Sequence, residues 1–120
     1  MGLTYVTTKL TPVSASGAEY EAQFLVDTGA TDSMVPGAEL RRIGVAPVGR
    51  TAYELANGQL QDYSFGLARI EFMGEITAGR VIFGPDGCEP LLGITALESV
   101  GILVDPANKT FKRLPAIPLK

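Results

Sequence analysis

The sequence predicts one mainly β domain, a barrel-like sheet with one or two short helices. Three observations carry that expectation. The 120 residues include 14 Gly and 8 Pro with only 19% charged residues, a mixture suited to strands and turns rather than a helical bundle. The apolar residues fall in short runs bounded by Gly, Pro, Asn and Asp, as strands do. The length fits one continuous core, and no internal repeat, linker or low-complexity tract divides the chain.

The elements follow in order. Residues 3–13 are rich in Thr, Val, Tyr and Leu and read as extended, with Pro12 setting the end at a sheet edge or bend. Ser14-Ala15-Ser16-Gly17 reads as a turn. Tyr20-Glu21-Ala22-Gln23 alternates, and Phe24-Leu25-Val26 is continuously apolar. A strand that starts at the surface and enters the core shows that change. Ser33-Met34-Val35 reads as a short returning strand. Residues 37–43 read as a short helix stopped by Gly44.

Residues 51–72 carry two extended runs around Asn57-Gly58. That dipeptide predicts a two-residue hairpin with positive φ at both positions. Residues 77–83 form another strand, ended by Gly84-Pro85-Asp86-Gly87. Leu91-Leu92-Gly93-Ile94 is a short buried run. Thr95-Ala96-Leu97-Glu98 has the capping-box pattern, with Thr95 as the cap and Gly101 as the stop. Ile102-Leu103-Val104 and residues 110–114 flank the loop Asp105-Pro106-Ala107-Asn108-Lys109. Residues 3–114 therefore form the expected domain and residues 115–120 a C-terminal tail, either a loose end or an arm that pairs with a partner.

Composition also excludes functions. The net charge is −3 and the basic residues are scattered, which argues against nucleic-acid binding. No apolar run approaches a membrane span, and the first residues lack the pattern of a secretory leader. A cytoplasmic protein without membrane association is expected. The single cysteine, Cys88, allows no internal disulfide. The chain has no His, which removes Ser-His-Asp and Cys-His catalysis and argues against a transition-metal site. Carboxylates are left as the main groups for acid–base chemistry, and no cofactor or metal is expected.

Asp27 is the leading carboxylate. It ends the apolar run Phe24-Leu25-Val26 and is followed by Thr28-Gly29. Gly29 allows a close backbone approach, and Thr28 offers a hydroxyl to a neighbouring loop. Asp-Thr-Gly alone favours an ordinary turn aspartate bonded to its own backbone. The apolar lead-in and Leu91-Leu92-Gly93 favour a catalytic loop.

Together these residues resemble the retropepsin-like aspartic proteases, single-domain relatives of the retroviral enzymes. Phe24-Leu25-Val26-Asp27-Thr28-Gly29-Ala30 matches the catalytic loop, and Leu91-Leu92-Gly93 the second apolar-apolar-Gly motif with its following helix. The hairpin around Asn57-Gly58 occupies the place of the flap. The resemblance spans roughly residues 3–114 and implies an acid-protease-like closed β-barrel. It also implies an aspartic endopeptidase with catalytic Asp27, Thr28 and Gly29. Ala30, Thr31, Ala56, Asn57 and Gly58 would bind substrate. Tyr53 and Leu55 fit either a cleft lining or plain packing.

Aspartic protease chemistry needs two carboxylates that share a proton. The chain holds one Asp-Thr-Gly triplet, so the second carboxylate would come from another copy, in a homodimer acting on a peptide or protein. Retroviral enzymes commonly carry Asp and Arg, as an ion pair, where this chain has Thr31 and Ile94. Contacts that depend on that pair do not carry over, and the pattern is nearer to bacterial members of the clan. Ala30 has no hydroxyl to donate to the dyad, which predicts activity not confined to strongly acidic pH. The alternative is a non-catalytic binding or dimerisation module on the same fold.

Overall fold

A computed structural model describes residues 4–14, 17–105 and 107–119. The sequence-based expectations at Leu3, Ala15, Ser16, Pro106 and Lys120 lie outside the described residues. The strands are β1 (Tyr5–Pro12), β2 (Tyr20–Asp27), β3 (Ser33–Pro36), β4 (Gly49–Glu54), β5 (Leu60–Phe72), β6 (Glu75–Gly84), β7 (Leu91–Gly93), β8 (Ile102–Asp105) and β9 (Thr110–Arg113). Two six-residue helices, α1 (Gly37–Arg42) and α2 (Ile94–Ser99), complete the fold among the described residues.

The barrel closes because β1 pairs on both edges, with β2 on one side and β5 on the other. The ring runs β1-β2-β7-β3-β6-β5 and returns to β1, while β4 hangs outside it on β5 alone. Closure removes the open edges that a six-stranded sheet would otherwise present. Most pairings are antiparallel, but β2–β7 and β3–β6 are parallel. The parallel β2–β7 pair and the antiparallel β3–β7 contact set the loop after Asp27 beside the second Gly motif.

Alternation along β1 sends Val6, Thr8 and Leu10 inward and Tyr5 and Thr7 outward. Phe24 of β2 is fully buried, with Leu10, Ile70, Leu92, Leu97 and Ile102 around the same core. Burying a side chain the size of Phe24 contributes about 1.5–3 kcal/mol. Thr8 is the buried polar exception on β1, and its hydroxyl donates to the Val6 carbonyl at 3.2 Å. Leu40 buries α1 against the barrel, and Gly44, at φ +93°, stops that helix as expected.

The turn at Asn57-Gly58 differs from expectation. Asn57-Gly58 does not form a two-residue loop, since only Gly58 has positive φ, at +84°. The Leu55 N–H donates to the Gln59 carbonyl, so the register leaves three residues between the closing pair. Gly58 N–H bonds the Leu55 carbonyl and the Asn57 side chain accepts from Gln59 N–H, giving a type I turn completed by Gly58. The two-residue hairpin lies instead at Met73-Gly74, between Phe72 and its partner Glu75, with φ of +53° and +78°.

Helix α2 differs too. Thr95 lies inside it, Gly93 is the N-cap, and no side chain caps its start. The first amides bond elsewhere: Ile94 N–H donates to the Ala30 carbonyl at 2.8 Å and Thr95 N–H to the Thr31 carbonyl at 3.2 Å. The loop after Asp27 thus does the work expected of Thr95 and Glu98. Gly101, at φ +74°, ends the helix as the sequence predicts.

After α2 the hairpin β8–β9 stands apart from the barrel sheet. Arg113 ties it back, with its guanidinium on the Glu75 carboxylate and the Met73 carbonyl. Residues 115–119 have no regular secondary structure. Among the described residues no helix is long and apolar enough to cross a membrane.

Candidate active site

Asp27 is the last residue of β2, held in parallel register opposite Gly93 of β7. It is half-buried, while Thr28 and Gly29 are exposed. One carboxylate oxygen, Oδ1, accepts the Gly29 N–H at 3.0 Å, and the Asp27 carbonyl accepts the Ala30 N–H at 3.1 Å. This is the Asx turn that the triplet encodes. It holds the carboxylate in one orientation, and Oδ2 has no protein partner among the described residues.

The loop after the triplet passes directly over Gly93. A Cβ at that position would lie 2.6 Å from the Asp32 carbonyl carbon and 2.7 Å from the Thr31 oxygen. Only glycine leaves room for that crossing. The seam is sealed by the Gly93 N–H, which donates to the buried Ser33 hydroxyl at 3.0 Å, and by the two α2 amides on Ala30 and Thr31. The pairing of the two motifs is therefore a physical contact of backbone on backbone.

In front of Asp27 lies an open cleft of about 680 Å³. Its floor includes Asp27, Gly29, Ala30, Thr31, Asp32, Met34, Ile82 and Leu91, and its far wall is the β4–β5 hairpin, with Ala52, Tyr53, Glu54, Leu55, Ala56 and Tyr63. Tyr53 and Leu55 thus face the cleft. Asn57 and Gly58 sit at the exposed hairpin tip and, like Thr28, are not among the lining residues.

Asp32 is a site residue that the sequence reading passed over. Its Oδ2 accepts the Tyr53 hydroxyl at 2.7 Å, joining the hairpin to the loop that carries Asp27. Burial and this carboxylate push the Tyr53 phenol above its ordinary value, with Arg80 opposing the shift. Tyr53 and Tyr63 pack at 6.2 Å between ring centroids, tilted by 56°. Tyr53 is among the residues expected at the cleft, but its pairing with Asp32, 21 residues away, has no signal in the sequence. Cys88 is half-buried, and burial pushes its thiol up, the opposite of nucleophile activation.

A closed barrel whose Asp-Thr-Gly loop is threaded over a second Gly motif, beneath an open cleft, defines the retropepsin-like aspartic protease class. The chain belongs to the family described as "gag-polyprotein putative aspartyl protease", whose model matches residues 12–99. Solved structures agree on the fold. EIAV protease complexed with the inhibitor HBY-793 aligns with a TM-score of 0.59 at 18% identity, over 83% of this chain and 89% of that one. A retropepsin-like aspartic protease from Rickettsia conorii aligns at 0.50 and 23% identity, over 87% and 85%. The retroviral protease-like domain of Ddi1 from Leishmania major aligns at 0.52 and 16% identity, over 96% and 92%. A search of curated proteins finds no match.

Proposed function

We propose that the protein is an aspartic endopeptidase that hydrolyses peptide bonds as a homodimer, with Asp27 and its copy in the second protomer as the catalytic dyad. The observation that carries this reading is the position of Asp27: it ends a strand anchored in the core by Phe24, is oriented by the Gly29 amide, and faces a cleft. One triplet per chain supplies half of the required pair.

The chemistry follows from two carboxylates sharing one proton. The ionised member takes a proton from water as the water oxygen attacks the peptide carbonyl carbon. The protonated member gives its proton to the carbonyl oxygen. Collapse of the tetrahedral intermediate breaks the C–N bond and passes a proton to the leaving amine. An extended peptide pairing with the β4–β5 hairpin, acting as a flap, would be held by strand addition. Ala30, Thr31 and Ala56 line the cleft, which supports their contacting it. Thr28, Asn57 and Gly58 belong to this reading through the dimer and through flap closure.

The test compares wild type with Asp27→Asn on a mixed peptide library while the association state is recorded. Cleavage should fall by about a thousandfold or more, and wild-type activity should track the dimer. Cleavage unaffected by the substitution, or a fully active monomer, refutes the reading. A dimer that cleaves nothing in either form identifies a binding module.

A further inference from the structure

The β4–β5 hairpin leaves the barrel without support from the sheet. Strand β6 pairs with β5 only as far as Phe65, opposite Ile82, and β4 pairs with β5 alone. Residues from Leu55 to Gln61 are all exposed. A free two-stranded hairpin is marginal in water, so its position over the cleft needs other anchors. Among the described residues two side-chain bonds join it to the barrel. At its base, Arg80 donates to the Thr51 hydroxyl at 3.0 Å, with its guanidinium 4.0 Å over the Phe65 ring. Nearer the tip, Tyr53 donates to Asp32 at 2.7 Å.

We infer that Tyr53 and Asp32 are a positioning pair, a tether that sets the hairpin's distance from the Asp27 loop. Three features support this. The bond joins the floor and the far wall of one cleft rather than two parts of one element. Its acceptor is a half-buried carboxylate with no ion pair among the described residues, so the hydroxyl is its principal partner and the bond is of the stronger, charge-assisted kind. Its loop end is rigid, since the neighbours Thr31 and Ser33 are both bonded across the Gly93 seam. Movement of the hairpin is thereby referred to the same backbone that orients Asp27. Tyr53 acts through the hairpin and takes no part in the chemistry.

The inference rests on the endopeptidase reading for its kinetic consequence and stands without it for its structural one. Hydrogen exchange on the intact 120-residue chain tests the structure. In Tyr53→Phe, the hairpin amides of Leu55 and Gly58 should exchange about tenfold faster, while those of Leu25 and Ile94 keep their protection. Asp32→Ala should match it, Asp32→Asn, which keeps an acceptor, should restore most protection, and the double variant Tyr53→Phe/Asp32→Ala should be no faster than either single one. Kinetically, KM for a peptide should rise by about tenfold in Tyr53→Phe, with a smaller fall in kcat. Equal acceleration of hairpin and barrel amides, no acceleration, or additive single effects overturns the tether. An inactive wild type with the expected exchange pattern refutes the endopeptidase reading and leaves the tether intact.

Discussion

Gly93→Ala tests the threading of the two motifs directly. The three atoms nearest the added Cβ are all backbone, at 2.6, 2.7 and 2.8 Å. No rotamer change relieves such contacts. Reaching ordinary separation requires the loop to retreat by about 0.6–0.8 Å, starting from those distances. The same movement stretches the Gly93–Ser33 bond, now 3.0 Å, and the Thr95–Thr31 bond, now 3.2 Å, beyond useful length. Overpacking costs about 1–3 kcal/mol, and a buried amide losing its acceptor adds about 1–3 kcal/mol. A total near 3–5 kcal/mol is expected, which for a domain of this size lowers Tm by roughly 12–20 °C. The assay is thermal unfolding by circular dichroism at one fixed chain concentration, because association shifts Tm. Gly79→Ala is the control: it lies in β6 with nothing within 4 Å of its Cβ position and no positive φ. That variant should match wild type or gain about 0.4–1 kcal/mol. A Gly93→Ala variant within about 4 °C of wild type would refute the backbone-on-backbone reading.

Three further predictions test other parts of the fold. Ser33→Ala removes the acceptor of the buried Gly93 amide and should cost about 1–3 kcal/mol in urea unfolding. Gly74→Ala meets no atom within 4 Å, so its cost should be conformational only, about 1–2 kcal/mol, and Gly74→Asn should cost less. Tyr53→Phe should flatten the alkaline limb of the stability curve. The Tyr53 phenol is raised above 10.0 in the folded chain, so its contribution is present below that pH and is lost as pH rises through the folded value. Tyr5 and Tyr20 shift in the same direction. The variant should therefore lose part of the limb rather than all of it, as read by urea midpoints at stepped pH.

Much of the barrel was legible because its signals are local. Alternation in Tyr20-Glu21-Ala22-Gln23 giving way to Phe24-Leu25-Val26 marks a strand entering a core whatever the rest of the chain does. Gly44 and Gly101 end helices because no other residue adopts their φ as readily. Asp27-Thr28-Gly29 writes its own Asx turn, and the missing His narrows the chemistry by composition alone.

Other features depend on which segments meet. Asn57-Gly58 has the composition of a two-residue turn, but the register of β4 on β5 leaves three residues in that loop. Met73-Gly74, without a strong turn signature, takes the tight turn because β5 and β6 pair right up to it. Thr95 has the composition of a cap, yet the Ala30 and Thr31 carbonyls arrive first. Closure of the barrel needs β1 to find two partners, and Asp32 acquires its part in the cleft only when Tyr53 is folded against it. Propensity and periodicity act over a few residues and can be read along the chain. Hydrogen-bond partners and close approaches such as that over Gly93, 60 residues from Ser33, exist only once the chain is packed.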